Sequence, residues 1–102
     1  MKNVLLISAD FPYTYYQFAK SFKERGMNVF VIGGTPYSEI CEGLKTNVTR
    51  YYQCGNMEDL NWMKNIIWEI INEFGQIDFL ESNNEYWLRN DAILREEFNI
   101  QS

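Results

Sequence analysis

Four short runs rich in apolar residues punctuate this chain, and the stretches between them change to helical spacing. "KNVLLISAD", residues 2–10, is an apolar run bounded by polar residues, long enough for a strand covered on both faces. "YTYYQFAKSFKERG" then places Tyr15, Phe18, Ala19 and Phe22 at i, i+3, i+4 and i+7, which predicts a helix stopped at Gly26. "NVFVIGG" reads as a second buried strand closed by Gly33 and Gly34. A strand, a helix and a strand in this order form a right-handed parallel crossover.

The second half repeats the alternation. "TPYSEICEGLKTN" is the least regular stretch, a loop with one helical turn around Glu39 to Leu44. "VTRYYQC", rich in β-branched and aromatic residues, predicts a third strand. "NMEDLNWMKNIIWEIINEFG" gives the clearest helix, capped by Asn56 or Glu58 and ended by Gly75. Its apolar stripe is Leu60, Met63, Ile67, Ile70, Ile71 and Phe74, with Trp62, Ile66 and Trp68 off it. These three either widen the buried face or meet something outside this chain. "IDFLES" predicts the fourth strand and "EYWLRNDAILREEFNI" the last helix. The expected fold is therefore α/β: a single Rossmann-like, doubly wound domain over residues 1–102, with a four-stranded parallel sheet flanked by helices.

Composition narrows what such a domain does. The 102 residues suffice for one core but are few for a complete two-substrate enzyme. The formal net charge is −5 and the nine Lys and Arg are scattered, so neither nucleic acid nor an anionic membrane is expected as a partner. There is no histidine, which excludes Ser-His-Asp and Cys-His catalysis and histidine-ligated metals. Cys41 and Cys54 form no C-x-x-C motif and are expected reduced. The apolar run from Val4 to Ala9 is too short for a signal peptide or a membrane span, so the expected location is cytoplasmic. Aromatics make up 17% of the chain, a load that points to a surface meeting another domain or subunit.

Ligands of doubly wound sheets bind beyond the carboxyl ends of the strands. The first turn, "SADFPYTYY", has no glycine for a pyrophosphate to approach and no Walker lysine follows. Asp10 and Pro12 read there as helix-start residues before they read as ligand contacts. "GGTPYS" is a turn that a phosphate nest would also fit. Cys54 lacks a cationic neighbour in sequence and reads as inert. The fourth junction is the richest: Ser82-Asn83-Asn84-Glu85 fits a capping box. Capping asks for neither the two asparagines nor Glu81, and paired carboxylates such as Glu81 and Glu85 also suit acid–base work.

The two ends of the chain carry a resemblance. "VLLISADFPYTYYQFAKSFKERGMNVFVIG" resembles the opening, and "IDFLESNNEYWLRNDAILREEFNI" the close, of the N-terminal, pre-ATP-grasp domain of ATP-grasp ligases. In the second segment an aspartate, a short apolar stretch, "NE" and "LRE-F-I" are the matching pieces; carbamoyl phosphate synthetase-like and biotin carboxylase-like proteins belong to this group, and the chain most resembles the former. The resemblance implies a domain that shapes the acceptor-substrate side of a ligase, the substrate being a small carboxylate or amine. The ATP-grasp region would lie elsewhere in the same or a partner chain and would hold ATP and Mg²⁺. No nucleotide lysine or metal acid of that region matches any position here, so no cofactor is expected in this chain and no ligase activity from it alone. Asp10 and Phe11 match the end of the first strand, and Asn83, Asn84 and Glu85 the fourth junction, as the expected substrate contacts.

Two other readings stand beside it. A small interaction module would use Trp62 and Trp68 as its contact surface, with a second copy of the chain among its partners. A receiver- or flavodoxin-like domain fits less well: "SAD" supplies one acid, and "VIGG" and "FLES" supply no aspartate at the later strand ends.

Overall fold

The computed structural model describes residues 1–10, 13–82 and 85–101. Four strands, β1 (Asn3–Ile7), β2 (Asn28–Gly33), β3 (Arg50–Gln53) and β4 (Phe79–Ser82), form one sheet in the order β3-β2-β1-β4. All pairings are parallel. Four helices connect or follow them: α1 (Tyr16–Glu24), α2 (Glu42–Lys45), α3 (Leu60–Phe74) and α4 (Leu88–Phe98). The expected α/β fold with a four-stranded parallel sheet is present.

The period-two alternation of the strands assigns each residue to a face. Val4 and Leu6 of β1 and Val29 and Val31 of β2 are buried with Ala19 of α1, Leu44 of α2 and Ile40. Leu5, Ile7, Phe30 and Ile32 point the other way, against Met63, Ile66, Ile67 and Ile70 of α3 and Leu94 and Phe98 of α4. All five residues of β1 are buried, as a strand sandwiched between two helical layers requires. Each such side chain contributes about 1.5–3 kcal/mol through removal from water.

Several local expectations need correction. Phe18, counted in the buried stripe of the first helix, is 49% exposed and lies edge-on to Tyr15 at 5.8 Å. A helix of only nine residues lies against the narrow β1–β2 surface through Ala19, leaving Phe18 outside. The cap of α3 is Asp59, neither Asn56 nor Glu58; its carboxylate accepts the N–H groups of Asn61 and Trp62 at 3.0 and 3.2 Å. Asn56 instead caps the tight turn before it, accepting the Glu58 N–H at 3.0 Å. Ile66 widens the buried face of α3, whereas Trp62 and Trp68 remain 44% and 53% exposed. The stretch 35–47 contains a 3-10 turn, Tyr37–Glu39, and the short α2. No described helix is long and apolar enough to cross a membrane.

The topology matters for function. From β1 the chain moves through β2 to β3, and then returns past both to place β4 on the far side of β1. Since α1 packs on one face of the sheet and α4 on the other, the carboxyl edge between β1 and β4 is the topological switch point, where sheets of this kind form their ligand crevice. Ile7 and Ser82 are paired in register at its floor.

Candidate functional site at the sheet's carboxyl edge

Two clusters of polar side chains flank this crevice. The first joins the ends of β1, β2 and β3. Ser8, directly after β1, adopts φ +64° while its N–H donates to the Ile32 carbonyl at 2.8 Å. A non-glycine residue in that region is uncommon, and such conformations gather at ligand sites. The bend turns Asp10 back toward β2, where its Oδ2 accepts the Thr35 N–H at 3.0 Å. The Tyr51 hydroxyl, rising from β3, donates to the Thr35 carbonyl at 2.5 Å. Burial, followed by the nearby Asp10 charge, pushes the Tyr51 hydroxyl far above the ordinary phenol value of 10.0. Asp10 Oδ1 is shielded from solvent and has no partner among the described residues.

Gly33 makes this cluster geometrically feasible. A Cβ there would stand 2.5 Å from the Tyr51 hydroxyl oxygen and hard against the Asp10 carboxyl. Only glycine lets the aspartate, the tyrosine and the end of β2 converge.

The second cluster joins β4 to α4. The Ser82 hydroxyl donates to Asp91 Oδ2, and Asp91 is wholly buried. Arg95 donates from Nε and Nη2 to the Leu80 carbonyl at 2.9 and 2.5 Å and from Nη2 to Glu81 Oε2 at 3.2 Å. Nearby, the Tyr86 hydroxyl donates to Glu58 Oε1 at 2.7 Å, tying the turn before α4 to the turn before α3. The Trp62 indole lies over Gly55 at the β3–α3 turn.

Of the five expected substrate contacts, Asp10 is fully described and lies at the end of β1. It binds the neighbouring turn rather than capping α1, which starts at Tyr16 after a 3-10 turn and has no side-chain cap. That corrects its reading as a helix-start residue. Phe11, Asn83 and Asn84 lie outside the described residues, and of Glu85 only the backbone is described, opening the 3-10 turn Glu85–Trp87. The capping box over residues 82–85 falls on these positions; α4 itself begins at Leu88 with no side-chain cap at Trp87. Tyr51, Thr35 and Asp91 were not singled out by sequence. Asp91 had a signal: with Leu94 and Phe98 it stands at i, i+3 and i+7 on the buried face of α4.

Chemically the edge offers hydrogen-bond acceptors and hydroxyls, with carboxyls on both sides of the crevice. Cys54 is buried, its thiol donates to the Asn56 carbonyl at 3.2 Å, and burial raises its pKa, all of which make it a poor nucleophile. Neither cysteine is in a disulfide. Among the described residues no group of three or more acids or cysteines is disposed to hold a metal. The turn after β1 presents a carboxylate where a bound nucleotide would need backbone N–H groups.

These features define the class: an open, doubly wound α/β domain with its polar groups at the carboxyl edge and its switch point between β1 and β4. Among solved structures, the L-amino acid ligase from Bacillus licheniformis matches it with a TM-score of 0.71 and 17% identity. The match covers all of this chain and 24% of the ligase, so this chain spans about a quarter of that protein's length. At that identity the likeness is one of fold alone, the α/β fold with a four-stranded parallel sheet expected from the sequence; it does not extend to the carbamoyl phosphate synthetase-like subtype. No family model matches the chain. No curated protein matches it either.

Proposed function

We propose that this chain is the N-terminal domain of an ATP-grasp ligase, serving as scaffold and as one wall of the acceptor-substrate cleft. The observation that carries the reading is the fold match to a ligase along the entire chain. Asp10 and Phe11 from the β1 side, and Asn83, Asn84 and Glu85 from the β4 side, would contact a small carboxylate or amine. ATP-dependent activation of the carboxylate would be supplied by an ATP-grasp region with its Mg²⁺, in the same or a partner chain. The segment "IDFLESNNEYWLRNDAILREEFNI" favours a carbamoyl phosphate synthetase-like subtype; the structural neighbour favours an amino acid as acceptor.

The test is to find an ATP-grasp region beyond codon 102 or in a neighbouring gene and to combine it with this chain. ATP-dependent phosphate release is then measured with a panel of L-amino acids, and with bicarbonate and ammonia. Release that requires both parts and one acceptor class supports the reading and fixes the subtype. An ATP-grasp region that works equally well without this domain, or the lack of any such region, overturns it.

A second reading, a protein-interaction module, is favoured by one observation: Trp62 and Trp68 are exposed on α3. Sizing and acrylamide quenching decide it. A monomer at all concentrations, with both indoles remaining quenchable in the presence of cell extract, removes the motive for that reading.

A further inference from the structure

We propose that this chain associates head to tail with copies of itself, the basic exposed face of α1 on one copy seating against the acidic exposed face of α3 on the next. This rests on the second reading above, the interaction module, and names its partner; it draws nothing from the ligase reading.

Three observations carry the inference. Both helices leave a large aromatic in solvent: Phe18 of α1 is 49% exposed and Trp62 of α3 is 44% exposed. Each aromatic lines an open groove, of about 450 Å³ with Tyr15 and Gln17 on α1 and about 430 Å³ with Asn65 and Ile66 on α3. The two faces are also opposite in charge. Lys20, Lys23 and Arg25 crowd the end of α1 against one acid, Glu24, and all four are exposed. Along α3 and just before it stand Glu58, Asp59, Glu69 and Glu73, all exposed, against one lysine, Lys64, which is already paired with Glu97 at 2.8 Å. Glu73 is paired with Arg50, but Lys20, Arg25 and Glu69 enter no ion pair among the described residues.

The third observation is a matched spacing. Arg25, the C-cap of α1, follows Phe18 by seven residues, and Glu69 follows Trp62 by seven. In each helix the charge therefore lies two turns from the aromatic on the same face. Laid parallel, the two helices bring Phe18 to Trp62 and Arg25 to Glu69 at once. The Arg25 guanidinium lies over the Phe22 ring at 4.6 Å, one turn from Phe18, so it is held beside that aromatic. Symmetric pairing of either helix with its own copy would set like charges together, which is costly. Because α1 covers one face of the sheet and α3 the other, the contact joins two different patches and every copy keeps one patch unused. Contacts of that kind extend into open chains unless their rotation closes a ring. Two helix faces make a small interface, in the class of weak, transient contacts.

The experiment is sedimentation velocity from about micromolar to about millimolar protein, at low and high salt. The samples are the wild type, Arg25→Glu, Glu69→Arg, the double variant with both changes, and an equal mixture of the two single variants. Circular dichroism checks that each is folded. The wild type should grow in average mass with concentration, without a plateau at the dimer, and less so in high salt. Each single variant meets a like charge and should associate about tenfold more weakly. The double variant and the mixture restore opposite charges and should regain the wild-type behaviour. A wild type that is monomeric throughout overturns the proposal, as does a double variant no better than the single ones. Weakening by only one of the two single changes, or a plateau at the dimer, also overturns it, since either marks a symmetric contact. A monomer whose indoles cell extract still protects from acrylamide overturns self-association yet leaves the interaction module standing, so the two failures are distinct.

Discussion

The Asp10 carboxylate accepts the Thr35 backbone N–H at 3.0 Å, which ties the turn leaving β1 to the turn leaving β2. The bond lies beyond the last in-register pair, Ile7 and Ile32, and beyond the Ser8 N–H bond to the Ile32 carbonyl. It lies on one side of the β1–β4 switch point, and the Ser82–Asp91 hydrogen bond lies on the other.

Gly33→Ala tests how tightly that side is built. The added methyl collides with both the Asp10 carboxyl and the Tyr51 hydroxyl. The backbone at this point is strand, so the cost is one of overpacking, about 1–3 kcal/mol. Urea denaturation measures it. Tyr51→Phe in the same chain should recover part of the loss, because one of the two colliding groups is then gone.

Tyr51→Phe alone removes the hydroxyl that donates to the Thr35 carbonyl, at an expected cost of about 0.5–1.5 kcal/mol. The same hydroxyl gives the fold an alkaline limit. Its folded pKa lies above the ordinary 10.0, so the unfolded chain loses that proton first. The contribution is full below pH 10.0 and falls as pH rises above it toward the folded value. Thermal melts from pH 9 upward should therefore decline less steeply for the phenylalanine variant than for the wild type.

How much of this was legible follows from what each residue does. β1 and β2 are continuous apolar runs because both faces are covered, and α3 carries a long stripe with a glycine stop; all three are local signals. The relation of Asp10 to Thr35 is not local. It depends on the bend at Ser8 and on the neighbouring position of β2, and a single aspartate before a helix reads equally well as a cap. Tyr51 lies in an ordinary aromatic strand, and only the absence of a side chain at Gly33 reveals what its hydroxyl approaches. Phe18 fits helical spacing yet is exposed, because periodicity cannot tell how wide a face the sheet offers. Asp91 could have been found: an acid in phase with Leu94 and Phe98 is out of place on a helix face.

Asp59→Ala tests the corrected start of α3. Two N–H groups lose their acceptor, so the helix should lose about 0.5–2 kcal/mol. Glu58→Ala, whose carboxylate bonds the exposed Tyr86 hydroxyl, should cost less, because a surface contact of that kind is worth little. Melting temperatures of the two variants, compared in one buffer, decide the order.

Asn3 is the buried polar hub at the opposite edge of the sheet. Its Nδ2 donates to the Phe74 and Gln76 carbonyls at 3.2 and 2.9 Å, and its Oδ1 accepts from Asn28 Nδ2 at 3.0 Å. Asn3→Ala leaves those partners unsatisfied where α3 runs into β4, an expected loss of about 1–3 kcal/mol. Asn3→Asp should be worse than the alanine variant near neutral pH, since a carboxylate would face two carbonyl oxygens in place of the amide donor. Denaturation at pH 7 and again below the carboxylate range separates the two, and the aspartate variant should recover on acidification.

MgATP alone should not stabilise this chain. A nucleotide bound at the usual place would put its phosphates at the turn after β1, against backbone N–H groups. Here that turn carries Asp10, whose Oδ2 already occupies the Thr35 N–H and whose Oδ1 has no hydrogen-bond partner among the described residues. Phosphate oxygens would meet a like charge in a partly desolvated site, which disfavours binding by several-fold even before shape is considered. A ligand present at a hundred times its dissociation constant would add about 2.7 kcal/mol, a shift of several degrees in a domain of this size. No shift is expected in a thermal melt with millimolar MgATP. Asp10→Asn should leave that result unchanged, whereas a clear rise in the wild type would place a nucleotide site within these residues.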